Sequence, residues 1–578
     1  MSVTSYARHV VVLLALPTAL AAQNGHSLTA LPLKHAPKPT TAAITDADLM
    51  TRLYIFADDS MQGRETGTAG HVRSTAYLAR EAARLGLEPA GDKGTFFQAV
   101  PLVMRKFDRG STFGVDGVPL KPFVDYVPST FRGTPRPLAG APVVFGGVFG
   151  ETEGALTAAQ VEGKLVVFTM ASGGRPFAPR AFTGALAGAA GIAQVEGDAL
   201  SARTLRAATR QVPNIAIKGQ ASGQTAPLTL TITRRAAEAL LGAPLASATR
   251  GMTGKTVTGD VRFKEQSAPA RNVVAILRGS DPALRGEFVA LGAHNDHTGF
   301  LTGVPAAGVP ITPEKVAVDH DSLHLYRAAR YSIESKIPRG ERATAEQQAE
   351  LDAIHINLDS VRMNHRVRAD SIRNGADDDG SGSVTLLEVA EAFARGGVKP
   401  KRSLLFVWHT GEEKGLLGSR WVSDHLPVPA DSVVAQLNMD MVGRGAAGDI
   451  PGGGDAYLQL VGSRRLSTEL GDIVEAVNTT QPMPFTFDYQ FDANGHPENI
   501  YCRSDHYHYA RLGIPVVFFT TGLHGDYHQV TDEPQYIDYP HMQRIGRLVF
   551  DVATRLANLD HRPVVDKPKP DPNGTCRQ

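Results

Sequence analysis

Five apolar runs limit what this chain can fold into: Arg271–Leu277, Glu287–Ala293, Ser403–Trp408, Val433–Met439 and Ile514–Thr520. Each is of strand length and apolar along its run rather than alternating, the pattern of a strand buried on both faces. Helical patterns precede the later runs, so strand and helix alternate and the expected fold class is an α/β three-layer sandwich. Active sites of such sheets lie beyond the carboxyl ends of the strands. That is where the polar clusters fall. His294 and Asp296 follow the second run, Glu412 and Glu413 the third, Asp440 the fourth, and Tyr527 and His528 the fifth.

These residue types suit metal-assisted hydrolysis. The i, i+2 relation of His294 and Asp296 puts both side chains on one side of an extended continuation. A histidine nitrogen there can bind zinc while the aspartate orients or polarises the site. Neighbouring glutamates in a loop diverge, so one carboxylate can bind metal while the other takes a proton from water. Asp377, Asp378 and Asp379 precede an amphipathic helix running from Val384 to about Arg395. They can cap that helix, or one of them can bridge two metals. Asp440 ends a buried strand, an unusual place for a charge unless it is paired or metal-bound. His528 offers a further nitrogen, with the Tyr527 hydroxyl beside it. Taken jointly, the clusters point to a two-metal site, and nitrogen and carboxylate donors without thiolate suit zinc. His297, His409, His506, His508 and His524 lie nearby and read as loop or packing residues. The run Gly380-Ser381-Gly382-Ser383 lacks the spacing of a nucleophile elbow, which disfavours a serine hydrolase.

A chain of 578 residues is too long for one ordinary core. Lys+Arg and Asp+Glu each count 59, so no bulk field gathers nucleic acid or an anionic membrane surface. Residues 1–22 combine Arg8, the apolar stretch Val10–Leu16 and a small-residue end at Ala21 and Ala22, the parts of a secretory signal. The mature protein is therefore expected to be exported, with no membrane segment after cleavage. Residues 23–44 read as a flexible leader and 45–134 as the first part of the host domain. Short apolar strands with Gly turns over 135–258 read as an inserted, small β-rich domain, placed as a lid or rim. The host resumes over 259–562, and the Lys/Pro-rich 563–578 reads as a disordered tail. Cys502 and Cys576 are too few for a disulfide scaffold or a cysteine zinc site. They could pair, but spacing alone does not decide it.

These residues resemble the co-catalytic zinc exopeptidases of clan MH, in particular the secreted bacterial aminopeptidases whose relatives include glutamate carboxypeptidase and the transferrin receptor. The Gln62-Gly63-Arg64 loop and Phe97-Gln98 extend the likeness into the N-terminal part, and the inserted segment resembles a protease-associated domain. The resemblance implies a mixed central sheet and two zinc ions per chain. By it, His294 and Asp440 hold one zinc, Glu413 and His528 the other, and Asp378 bridges them. It implies Glu412 as general base, Asp296 as support for the His294 zinc, and Tyr527 as a hydrogen-bond donor to the oxyanion. The activity implied is removal of N-terminal residues from peptides; a carboxypeptidase or dipeptidase on the same centre and a non-catalytic binding ectodomain are the alternatives. One departure stands out: 84 positions separate His294 from Asp378, far more than the family usually shows. An insertion over about 302–368 accounts for it, in a loop that opens beside the metals.

Overall fold

A computed structural model describes residues 31–129, 134–151, 153–170, 184–208, 215–219, 225–301, 316–338, 341–355, 368–574 and 576–578. The expected secretory signal lies outside them, as does much of the 302–368 insertion.

The apolar runs form the middle of a nine-stranded mixed sheet. Its strands in chain order are β1 Glu88–Pro89, β2 Phe97–Ala99, β3 Arg271–Leu277, β4 Phe288–His294, β5 Ser403–His409, β6 Val433–Met439, β7 Tyr457–Val461, β8 Thr486–Asp488 and β9 Val516–Thr520. Across the sheet they run β1-β3-β5-β4-β6-β9-β7-β8, with β2 also paired to β3. The central four, β5-β4-β6-β9, are mutually parallel. Their carboxyl ends therefore share one edge of the sheet.

The period of two in a strand divides each run between two cores. Leu404, Phe406 and Trp408 of β5 face one way, into a cluster with Val389, Leu386 and Val549; Leu405 and Val407 face the other, among Val422, Tyr507 and Tyr509. Helices Asp46–Phe56, Gly382–Arg395 and Tyr539–Asn558 cover the first face, and Leu417–Asp424 and His506–Ala510 the second. This is the three-layer α/β sandwich expected. Thr45 caps the first helix by accepting the Asp48 N–H, as its position before Asp46 suggested.

A separate eight-stranded sheet is built from strands between Thr112 and Asp260, so it recruits chain upstream of residue 135. Strands Leu102–Phe107 and Phe263–Ala268 pair antiparallel, with Ile215–Ile217 on the other edge of the first, as a three-stranded stem of this unit. The stem packs through Leu102, Met104 and Ala268 on Leu417, just beyond the Glu412-Glu413 loop.

Both ends differ from expectation. Half of the leader is tied down: the Tyr54 hydroxyl donates to Pro32 O, and Thr41 Oγ1 donates to Asp48 at 2.7 Å. The tail read as disordered is docked. Cys576 is disulfide-bonded to Cys502, Lys567 N donates to Leu466 O at 3.2 Å, and Val564 N donates to Glu469 at 2.7 Å. A polar, proline-rich composition carries no sign of those tertiary anchors. Among the described residues no helix is long and apolar enough to cross a membrane.

Candidate metal centre

The edge where β4, β5, β6 and β9 end collects the side chains singled out above. Register aligns His294 with His409, so β4 and β5 finish level and the loops after them lie side by side. Asp378 reaches the same place from the turn Ala376–Ser381, which leads into helix Gly382–Arg395.

Asp378 is the shared member of two groups. In one, His294 Nε2 lies 3.1 Å from Asp378 Oδ1 and 3.4 Å from Asp440 Oδ1. In the other, His528 Nε2 lies 2.9 Å from Asp378 Oδ2 and 3.0 Å from Glu413 Oε2. The donor atoms within each group lie within 4.8 Å of one another. His294 Nε2, His528 Nε2, Asp440 Oδ1 and Glu413 Oε1 are buried without a well-aligned hydrogen bond among the described residues. Buried polar atoms left that way are costly, and one cation in each group would satisfy all four. The donor set therefore fits a pair of divalent metals.

All the expected ligand residues converge, and a further one joins them. His297, read from sequence as a packing residue, places Nδ1 2.8 Å from Glu413 Oε1 and 3.7 Å from Asp378 Oδ2. It belongs with Asp378, Glu413 and His528 as a potential ligand group. Its position three residues after His294 in the same loop was the available signal. The other four histidines do pack or join hydrogen-bond networks: His409 bonds the Tyr509 hydroxyl at 3.0 Å, and His506 stacks on Phe518.

Asp296 does something other than support His294 through its carboxylate. His294 Nδ1 faces the Asp296 backbone oxygen at 3.1 Å, while the carboxylate stands 3.8 Å away. That carboxylate instead accepts the Thr66 hydroxyl at 2.8 Å and the Glu412 N–H at 3.2 Å. It holds the Glu412 loop in place. Burial, with the Glu413 charge adding to it against His294, pushes Asp296 up to about 6. Glu412 is raised well above the carboxylate range, first by burial and then by the charges of Asp440 and Glu413, against the pull of His294.

Glu412, Tyr527, Asp378 and Asp440 line one cleft, together with Arg503 and apolar residues including Met441 and Phe518. The Tyr527 ring stacks on His528 at 3.9 Å, and Arg503 Nη2 donates to its hydroxyl at 3.4 Å.

Further buried residues support the Asp378 turn and the backbone beside it, among them Asp532, which sequence reasoning passed over. Asp532 accepts the amides of Asp377 at 2.9 Å and Asp378 at 3.1 Å. Asp379 accepts the His294 N–H at 2.9 Å. Buried Arg64 donates to the carbonyls of Asn374 at 2.6 Å and Gly375 at 2.8 Å. Gly63 beside it has φ 62°, and a Cβ there would meet Arg373 O at 2.5 Å. The Gln62-Gly63-Arg64 loop is thus a brace for the metal centre.

Residues 351–553 match the model for Peptidase family M28. Leucine aminopeptidase 1 of Blastomyces gilchristii is 29% identical over 247 residues, 40% of this chain and 57% of that protein. Leupeptin-inactivating enzyme 1 of Streptomyces exfoliatus is 42% identical over 77 residues, 13% of this chain and 18% of that protein. Among solved structures, an aminopeptidase from Aneurinibacillus sp. strain AM-1 aligns at 15% identity and a TM-score of 0.49, covering 91% of this chain and 97% of that one. The matched residues 351–553, which carry Asp378, Glu412, Glu413, Asp440 and His528, are similar to Peptidase family M28. It spans little more than half the length of the leucine aminopeptidase it matches.

Proposed function

We propose that the chain is an exported two-zinc exopeptidase that removes N-terminal residues from peptides. The observation carrying this reading is Asp378, whose two oxygens face two imidazole-carboxylate groups while Glu412 lines the same cleft. His294 and Asp440 would hold one zinc, Glu413 and His528 the other, and Asp378 both. Zinc at such a centre supplies Lewis acidity that polarises the peptide carbonyl and makes water nucleophilic at neutral pH. Glu412 takes the proton from the attacking water and returns it to the leaving amine. Asp296 keeps the Glu412 backbone in register for that transfer. Tyr527 donates its hydroxyl hydrogen bond to the carbonyl oxygen as charge develops there, with Arg503 orienting the hydroxyl.

The aminopeptidase choice is supported by the relatives, leucine aminopeptidases among them. Export is supported by the disulfide, since such bonds persist in oxidising compartments, and by the signal-like residues 1–22. The β-rich unit over residues 112–260 is read as the protease-associated domain.

The test compares wild type with Glu412→Gln on peptides bearing free and blocked N-termini, together with zinc content. Two zinc ions at the centre, turnover only on free amines, and a variant that keeps metal but loses about 10²–10⁴-fold in rate are expected. Equal cleavage of blocked peptides would overturn the aminopeptidase reading, and full zinc occupancy without turnover of any peptide would overturn the enzyme.

A further inference from the structure

The stretch that follows β8 supplies Phe491, Ile500 and Arg503 to the cleft, yet it has little regular structure of its own. Within 489–503 only the single turns Gln490–Asp492 and Ile500–Cys502 are helical. A segment of that length is not held by secondary structure, so its side chains stand where ties from elsewhere put them. One tie is Arg465, which donates to the carboxylate and the carbonyl oxygen of Asp492 and lies over the Tyr501 ring at 4.3 Å.

The other tie comes from residues 576–578. The Gln578 side-chain amide donates to Phe491 O and, at 3.0 Å, to Ala493 O, while its oxygen accepts the Tyr501 N–H at 3.1 Å. Gln578 O accepts the Gly495 N–H at 3.0 Å. A single side chain thereby joins the Phe491 end of the segment to the Ile500 end. Cys576 adds a covalent bond to Cys502, the residue before Arg503. Both cysteines and Phe491 pack on the core that contains Ile500, Tyr501 and Phe518. Arg503 extends the chain of contacts, donating to Glu498 at 2.9 Å and to the Tyr527 hydroxyl at 3.4 Å.

We propose that Gln578 and the Cys502–Cys576 bond are positioning elements for the substrate, which set where Phe491, Ile500 and Arg503 stand in the cleft. This inference rests on the exopeptidase reading for the identity of that substrate. The metal centre is supported separately. Ser504, just beyond the segment, donates to Asp440 at 2.7 Å and accepts from Asn438 of β6 at 3.1 Å, and Asp532 and Arg64 hold the Asp378 turn. Releasing the tie should therefore loosen the cleft wall and leave the ligand set assembled.

Amide hydrogen exchange and peptide kinetics on the full chain test this, comparing oxidised wild type with Gln578→Ala, which keeps the disulfide, and with wild type reduced by dithiothreitol. Faster exchange across 489–503 is expected in both, with unchanged zinc content and a fall in kcat/KM of up to about 10²-fold, carried by KM. Reoxidation should restore KM. Gln578→Glu keeps the acceptor for the Tyr501 N–H and loses the two donated bonds, so it should fall between. Should reduction unfold the chain, Gln578→Ala alone reads the tie. Unchanged exchange would show that Arg465 suffices, and faster exchange with unchanged KM would make the tie structural only; either result overturns the inference. A wild type that turns over no peptide overturns the exopeptidase reading instead, and exchange across 489–503 still decides whether the tie orders the wall.

Discussion

At the scale of single residues, the candidate centre is built from side chains that are themselves held. Asp296 keeps Glu412 in place, Asp532 and Arg64 fix the Asp378 turn, and Asp379 holds the backbone of His294. His297 is the residue whose part differs most from its expected one. With Nδ1 2.8 Å from Glu413, it either ligates metal or orients its ligand. His297→Asn should weaken zinc at the Glu413 and His528 position about 10–100-fold, the usual effect of losing a ligand or its support. Chelator titration of the variant checks this, and unchanged affinity would return His297 to a packing role.

At the scale of elements, the helices beneath the sheet are joined by a buried charge network. Arg52 of Asp46–Phe56 donates to Glu388 and Glu391 of Gly382–Arg395, and Arg84 adds a bond to Glu391 at 3.0 Å. Burial acts to raise Glu391, but hydrogen bonds from Arg84 and Thr40 and the Arg52 charge win and lower it below the usual 4.5. Its folded value lies below its unfolded one, so its contribution is present above about pH 4.5 and is lost as pH falls through the lower value. Glu391→Gln should cost of the order of 3 kcal/mol near neutrality, as for other broken buried pairs. In urea unfolding the gap between variant and wild type should close as pH falls below 4.5; a pH-independent gap would show that packing, not charge, carries the effect.

At the scale of the whole molecule, the C-terminal tail is a strap. The Cys502–Cys576 bond closes a 74-residue separation and brings the chain end to within hydrogen-bond distance of Tyr501 and Phe491, beside the cleft. Closing a loop of that length stabilises by about 4 kcal/mol in the chain-entropy account. Cys576→Ser should therefore unfold at lower denaturant, and reductant should bring wild type down to the variant. Equal midpoints for oxidised wild type and the variant would mean that the bond adds nothing beyond the contacts around it.

The sheet and most of the ligand set were legible in the sequence because their signals are local. A doubly buried strand writes itself as an apolar run, and a charged residue at its end has few uses other than a site. Glu412, Asp440 and His528 could be named on that ground. The placement of Asp378 between two imidazole-carboxylate groups was expected from the family resemblance rather than from any local pattern, while the linkage of His297 to Glu413 and the brace formed by Arg64 join residues far apart in the chain. Composition likewise suggested a free tail where a disulfide and a few main-chain bonds hold it. The sequence by itself determined which strands are buried and which side chains stand at their ends, since both follow from periodicity. Only the tertiary structure decided which of those side chains meet, because donor convergence depends on register and on turns that no local pattern records.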